Sequence, residues 1–221
     1  MTSRSIALFG ATGLVGRECL KFLLDRAEFA RVVVFVRRKV QLDLSPAQQE
    51  KVALHVIDFD RLASYASLLA VDQILCALGT TIRKAGSQQA FRTVDFEYPA
   101  EIARLGLERG ARHFLLVSAL GADARSRVFY NRVKGELENT VLALPYRAHT
   151  IVRPSLLLGA RAESRLGEKI GEKLAFLAPR KYKPVLARDV AWTLVNAAAA
   201  DRSGVNVIES HQIQHAQVAG A

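Results

Sequence analysis

The stretch GATGLVG, residues 10–16, follows the apolar run SIALFG (5–10) and precedes a helical pattern over 14–27. Its glycines fall at 10, 13 and 16. Between a strand and a helix that spacing has a physical reading. Gly10 permits a tight turn, Gly13 lets a pyrophosphate touch the backbone, and Gly16 lets the helix pack on the strand. Thr12, Leu14 and Val15 complete the loop and the first helical turn, whose amides then face the phosphates. A glycine-rich turn without a ligand is the alternative. The strand–turn–helix context favours dinucleotide binding.

Further along the chain, apolar runs rich in β-branched residues recur at 31–36, 52–57, 71–78, 112–119, 147–152 and 204–209. They lack polar alternation, as expected of strands covered on both faces. Helical patterns lie between them at about 61–69, 88–109, 127–143, 165–177 and 188–200. Such alternation predicts an α/β fold with a doubly wound parallel sheet and helices on both faces. No linker, repeat or low-complexity tract interrupts it, so residues 1–221 read as one domain. Residues 159–184 form the longest piece between strands that is not a plain crossover helix, and a small substrate-covering segment fits there.

Composition narrows the function classes. The 221 residues are 50% hydrophobic, ample for a core, and carry a formal net charge of +10. No run of about 18 apolar residues exists, so no membrane helix is expected. The apolar stretch in MTSRSIALFGATG is too short for a signal h-region and is interrupted by glycine, so no signal peptide and a cytoplasmic location are expected. Cys19 and Cys76 lack metal or disulfide spacing and read as small buried hydrophobes, so no metal site is expected. The basic residues are spread out rather than blocked into a tail. Nucleic acid is not expected as a partner, because no recognised binding module accompanies the charge. A small-molecule substrate is expected, and the oligomeric state is open.

The second strand speaks to the dinucleotide. NAD-preferring sites usually carry an acid about 20 residues after the loop, on the ribose 2′-hydroxyl. Here the strand ends FVRRK, and the first acid after it is Asp43. Arg37 and Arg38 would instead receive a 2′-phosphate through charge-assisted contacts, which predicts NADP(H). A solvated basic turn is the alternative. Asp58 and Phe59, after the third strand, fall where an adenine ring would lie. A helix N-cap is the competing role for Asp58.

The chemical end follows the fourth and fifth strands. Ala77, Leu78 and Gly79 are small or apolar enough to line a ribose and nicotinamide. Ser118 sits at the carboxyl end of the fifth strand, where ligands bind in open α/β sheets. Twelve residues later comes YNRVKGELE (130–138), with Tyr130 and Lys134 one helical turn apart. Hydride addition to a carbonyl builds charge on its oxygen. Tyr130 would donate the proton, Lys134 would lower the phenol's pKa and hold the nicotinamide ribose, and Ser118 would orient the substrate oxygen. A strand-end cap and an ordinary helix face are the alternatives.

Taken together, GATGLVG, Ser118, YNRVK and IVRPSLLLG resemble an atypical short-chain dehydrogenase/reductase with a Rossmann fold. Within that group LGTTIRKAG (78–86), FRTVDFEY (91–98), SALGADARS (118–126) and ESRLGE (163–168) are similar to the Tat-interacting oxidoreductase-like branch. The resemblance implies that the RPS segment, through Pro154, passes the nicotinamide. It also implies an oxidoreductase, or a regulatory protein that binds NADPH without strong catalysis. One departure stands out. Many relatives in the wider superfamily carry an Asn that aids a proton relay, and here Asp95 takes that place.

Overall fold

The computed structural model describes residues 3–158 and 183–213. Seven parallel strands form one sheet: β1 (Arg4–Phe9), β2 (Phe29–Val36), β3 (Val52–Val56), β4 (Gln73–Cys76), β5 (His113–Val117), β6 (Ala148–Arg153) and β9 (Gly204–Glu209). Their order is β3-β2-β1-β4-β5-β6-β9. The chain therefore winds outward in both directions from β1 and β4, and the crevice at their carboxyl ends is the topological switch point. Two short strands, β7 (Leu157–Leu158) and β8 (Val185–Leu186), pair with each other separately. The expected helix at 165–177 and most of the expected substrate-covering segment lie outside the described residues.

Both faces of the sheet are apolar, which explains the missing polar alternation. Ile6, Leu8, Val32, Val34, Leu75 and Leu115 pack on one face with α1 (Leu14–Leu24) and the late helix α7 (Ala187–Ala200). Ala7, Phe9, Val33, Phe35, Ile74 and Phe114 pack on the other. That second face is covered by a 3-10 stretch (Phe59–Leu69), α5 (Tyr98–Glu108) and α6 (Phe129–Leu142). Phe22 meets Trp192 edge-on at 5.1 Å, locking α1 to α7. A short α2 (Pro46–Lys51), with a Ser45–Gln48 capping box, leads into β3.

One expected element differs. The pattern over 88–109 predicts a single helix, but the chain forms α4 (Gln88–Arg92), a π-helical turn (Thr93–Glu97) and α5. Pro99 supplies a cause. It has no N–H to give the Asp95 carbonyl, so the α-helical ladder fails there, and the Tyr98 N–H reaches back to the Thr93 carbonyl instead. A second short helix, α3 (Ile82–Ala85), precedes α4; Thr81 caps its start and left-handed Gly86 its end. The 61–69 pattern also tightens to 3-10 geometry, with a kink at Arg61.

The glycine loop sets the entry of α1. Gly10 has φ +84°, and a Cβ there would lie 2.4 Å from the Ala77 carbonyl oxygen. A Cβ on Gly16 would fall 2.1 Å from the Gly10 carbonyl oxygen, so this helix packs directly on the loop. Gly16→Ala is therefore expected to destabilise the fold by about 1–3 kcal/mol, the usual cost of overpacking. Gly13→Ala meets only the Gly10 oxygen, at 3.2 Å, and should stay within about 1 kcal/mol of the parent. Denaturant unfolding checks both, and a Gly16→Ala midpoint equal to the parent's would contradict this packing.

Candidate active site

Two cavities open along the carboxyl edge of the sheet, of about 750 Å³ and about 490 Å³. Gly13, Ala77, Leu78, Gly79 and Thr80 border both. The glycine loop and the end of β4 thus form a common wall. Gly13 caps α1 in extended geometry with no side chain over the helix start. The amides of that first turn have no intrahelical acceptors, which suits an anion.

The smaller cavity reaches the end of β2. Gly10, Thr12, Phe35 and Arg37 border it. Arg37 is exposed and makes no ion pair among the described residues. Arg38 is also exposed but does not border the cavity. Phe59 does border it, although its ring is buried, 6.1 Å edge-on from Phe9 and 5.5 Å from Tyr98. Asp58 turns to the competing role considered above: its carboxylate caps the 3-10 stretch, accepting from the Asp60 N–H at 3.0 Å. It borders neither cavity. Sequence reasoning missed Tyr98, which also faces this space and donates its hydroxyl proton to Asp60. Burial, then that hydrogen bond, raises its pKa to about 12.

The larger cavity is bordered by Leu14, Val15, Ser118, Tyr130, Lys134 and Pro154, and also by Asp95. Gly135 lets this happen. A Cβ there would lie 2.2 Å from the Ala124 amide nitrogen, so the loop after β5 lies flat on α6. Ser118 and the Tyr130 helix are thereby held together. The Leu120 N–H bonds the Pro154 carbonyl at 2.8 Å, joining the loops after β5 and β6.

The polar groups are committed in ways the sequence did not reveal. Lys134, buried, pairs with fully buried Asp95 at 2.7 Å. The other Asp95 oxygen accepts the Thr80 N–H at 2.8 Å. Burial alone would depress the Lys134 pKa; the Asp95 carboxylate, helped by Tyr130, more than offsets it, and the ammonium stays charged. Ser118 donates its hydroxyl proton to buried Glu138. Glu138 also takes three hydrogen bonds from Arg153, the shortest at 2.6 Å, and Arg153 reaches Glu209 at 2.8 Å. The signal for Glu138 was present: Tyr130, Lys134 and Glu138 recur at four-residue intervals along one face of α6.

Lys134 acts on Tyr130 in the expected direction, lowering its pKa, yet the phenol as a whole sits above its ordinary value. Desolvation raises it most, Lys134 opposes, and Asp95 offsets part of that opposition. The ring is half-buried against Phe91, centroids 5.5 Å apart. The buried thiols lie outside this chemistry: burial raises Cys19 and lifts Cys76 to about 12.

With this sheet order, glycine loop and site, the chain belongs to the NAD(P)H-binding family, which it matches over residues 10–201, and has a Rossmann-like fold. It is similar to protein HTATIP2 of Rattus norvegicus, 34% identical, covering 97% of this chain and 90% of that protein. It is also similar to the protein FMP52, mitochondrial, of Eremothecium gossypii, 34% identical over 92% of this chain and 93% of that one. Among solved structures, a short-chain dehydrogenase/reductase-family oxidoreductase from Burkholderia thailandensis superposes with a TM-score of 0.68. It is 21% identical and covers 95% of this chain and 92% of its own. MoeE5 in complex with UDP-glucose and NAD superposes at 0.69 with 13% identity, over 92% of this chain and 74% of that one. Among the described residues no helix is long and apolar enough to cross a membrane.

The buried pair yields a stability prediction. Asp95→Leu leaves a buried ammonium without its carboxylate and should cost about 3–5 kcal/mol, while Asp95→Leu with Lys134→Met should recover much of that loss. Urea unfolding of the double-mutant cycle measures the coupling. Additive losses would show that the two groups do not interact.

Proposed function

We propose that this chain is a cytoplasmic NADP(H)-dependent oxidoreductase that reduces a carbonyl or enone by hydride transfer. The observation that carries this reading is the continuity of the two cavities. Arg37 borders one end, the glycine loop the middle, and Tyr130 and Lys134 the other end. The residues fit such a cofactor: Gly13 offers bare backbone at the shared wall, and Arg37 has its guanidinium available for a 2′-phosphate. Two buried free thiols support a reducing compartment.

When bound, the reduced nicotinamide supplies a hydride to the substrate carbon. Tyr130 then donates its phenolic proton to the substrate oxygen. The raised pKa suits that direction, because the phenol is protonated throughout neutral pH. Lys134 stabilises the phenolate left behind and holds the nicotinamide ribose. Ser118, with its proton on Glu138, presents oxygen lone pairs rather than a donor, so Tyr130 carries the proton transfer. The reverse oxidation needs the phenolate and is expected to gain rate only toward alkaline pH.

A second reading has its own support. The hydroxyl proton of Ser118 is committed to Glu138 and the ammonium of Lys134 to Asp95. Both commitments draw polar groups away from a substrate. On this reading the chain binds NADPH as a catalytically weak regulatory or interaction protein.

NADPH should bind more tightly than NADH, and Arg37→Glu should narrow or reverse the preference, by about 1.5–3 kcal/mol. Calorimetry giving the parent equal affinities would contradict the assignment. Tyr130→Phe should lower carbonyl turnover by about 10²–10⁴ with NADPH affinity unchanged. The parent's reduction rate should hold level through neutral pH and fall only above the ordinary phenol value of about 10, as the donor loses its proton. Parent-level turnover in Tyr130→Phe would exclude it as the acid. Stoichiometric NADPH binding with no turnover across a carbonyl panel would favour the regulatory reading.

A further inference from the structure

We propose that Lys84 is a cofactor-binding residue, a cation that engages the pyrophosphate of the dinucleotide where the two cavities meet. The inference rests on the NADP(H) reading of the site and adds to it a residue that the glycine-loop pattern does not contain. Among the charged residues bordering either cavity, Lys84 alone borders both. Gly13, the loop glycine next to which a pyrophosphate must lie, borders both as well. The residues shared by the two cavities thus include a bare backbone at the start of α1 and one lysine.

The charge balance of the smaller cavity points the same way. Its bordering residues include two cations, Arg37 and Lys84, and no carboxylate. Neither cation makes an ion pair among the described residues. By contrast, three basic groups near the sheet edge are already matched: Lys134 by Asp95, Arg153 by Glu138 and Glu209, and Arg92 by Glu136 at 2.5 Å. Two unmatched cations facing an acid-free cavity fit a ligand carrying separate anionic groups.

The backbone holds Lys84 in place. It sits in α3, whose start is capped by Thr81, with the Thr81 hydroxyl oxygen accepting the Lys84 N–H at 3.2 Å. Left-handed Gly86 ends the helix one turn later. The same chain segment begins at Thr80, whose N–H is tied to Asp95. The stem of Lys84 therefore leaves a fixed turn beside the β4 wall, and its ammonium offers three donors to phosphate oxygens. A loop anion site built only from helix-start amides has partial charges. Lys84 adds a full one.

The pyrophosphate is shared by NADPH and NADH, whereas the 2′-phosphate is not, and this separates the two cations. Calorimetry of both dinucleotides against the parent, Lys84→Ala, Lys84→Arg and Arg37→Ala is the test. Lys84→Ala should weaken NADPH and NADH by the same factor, about tenfold, the usual worth of one charge-assisted contact. Lys84→Arg should keep most of the affinity, and Arg37→Ala should weaken NADPH selectively. Lys84 is exposed on a short helix, so parent-like thermal midpoints are expected in both variants. Unchanged affinity in Lys84→Ala, or a loss confined to NADPH, would overturn the inference while leaving the cofactor reading intact. A parent that binds neither dinucleotide would overturn both.

Discussion

The larger cavity depends on the ion pair between Lys134 and Asp95. Each group is almost wholly removed from water, and either one alone would cost several kcal/mol. Together, 2.7 Å apart, they tie α6 to the π-turn, and the Thr80 N–H ties that turn to the end of β4. Gly79 lies against this meeting: a Cβ there would make ordinary contact, 3.5 Å from the Asp95 carboxylate and 3.9 Å from the ammonium. Three separate pieces of chain are thus fixed around one buried charge pair. Such a pair specifies an arrangement more than it adds stability. Here the arrangement is the wall on which Tyr130 stands.

The same pair changes what Tyr130 can do. An unpaired ammonium beside a phenol would favour phenolate. Burial opposes that effect most, Asp95 offsets a further part of it, and the phenol stays protonated, as the proposed proton donor must be. Further along the same face of α6, Glu138 does something parallel to Ser118. It takes the hydroxyl proton and is itself held by Arg153, which the β6–β9 register sets beside Glu209.

The sheet was legible because its signal is dense. Most of the strands are short, apolar on both faces and separated from the next by a helical pattern, and the glycine loop marks the switch point. Tyr130, Lys134 and Ser118 were legible because their spacing placed them at one sheet edge. Asp95 was legible as a position but not as a partner. Its inward presentation comes from a π-turn, which a 3.6-residue period does not encode, and from a lysine 39 positions away. Asp58 showed the limit of reading a single acid after a strand, since a helix cap and a ligand contact demand the same residue type there. Lys84 escaped notice because its meaning is only spatial: nothing in IRKA distinguishes a cavity cation from a solvated one.

The central claim is that one dinucleotide spans both cavities, with its phosphates between Arg37 and the glycine loop and its nicotinamide beside Tyr130. A crystal structure of the protein grown with NADPH tests this most directly. The account predicts density for the 2′-phosphate within hydrogen-bonding distance of the Arg37 guanidinium and for the nicotinamide ring in contact with Tyr130. Density for a cofactor whose nicotinamide lies outside the larger cavity, away from Tyr130 and Lys134, would contradict it.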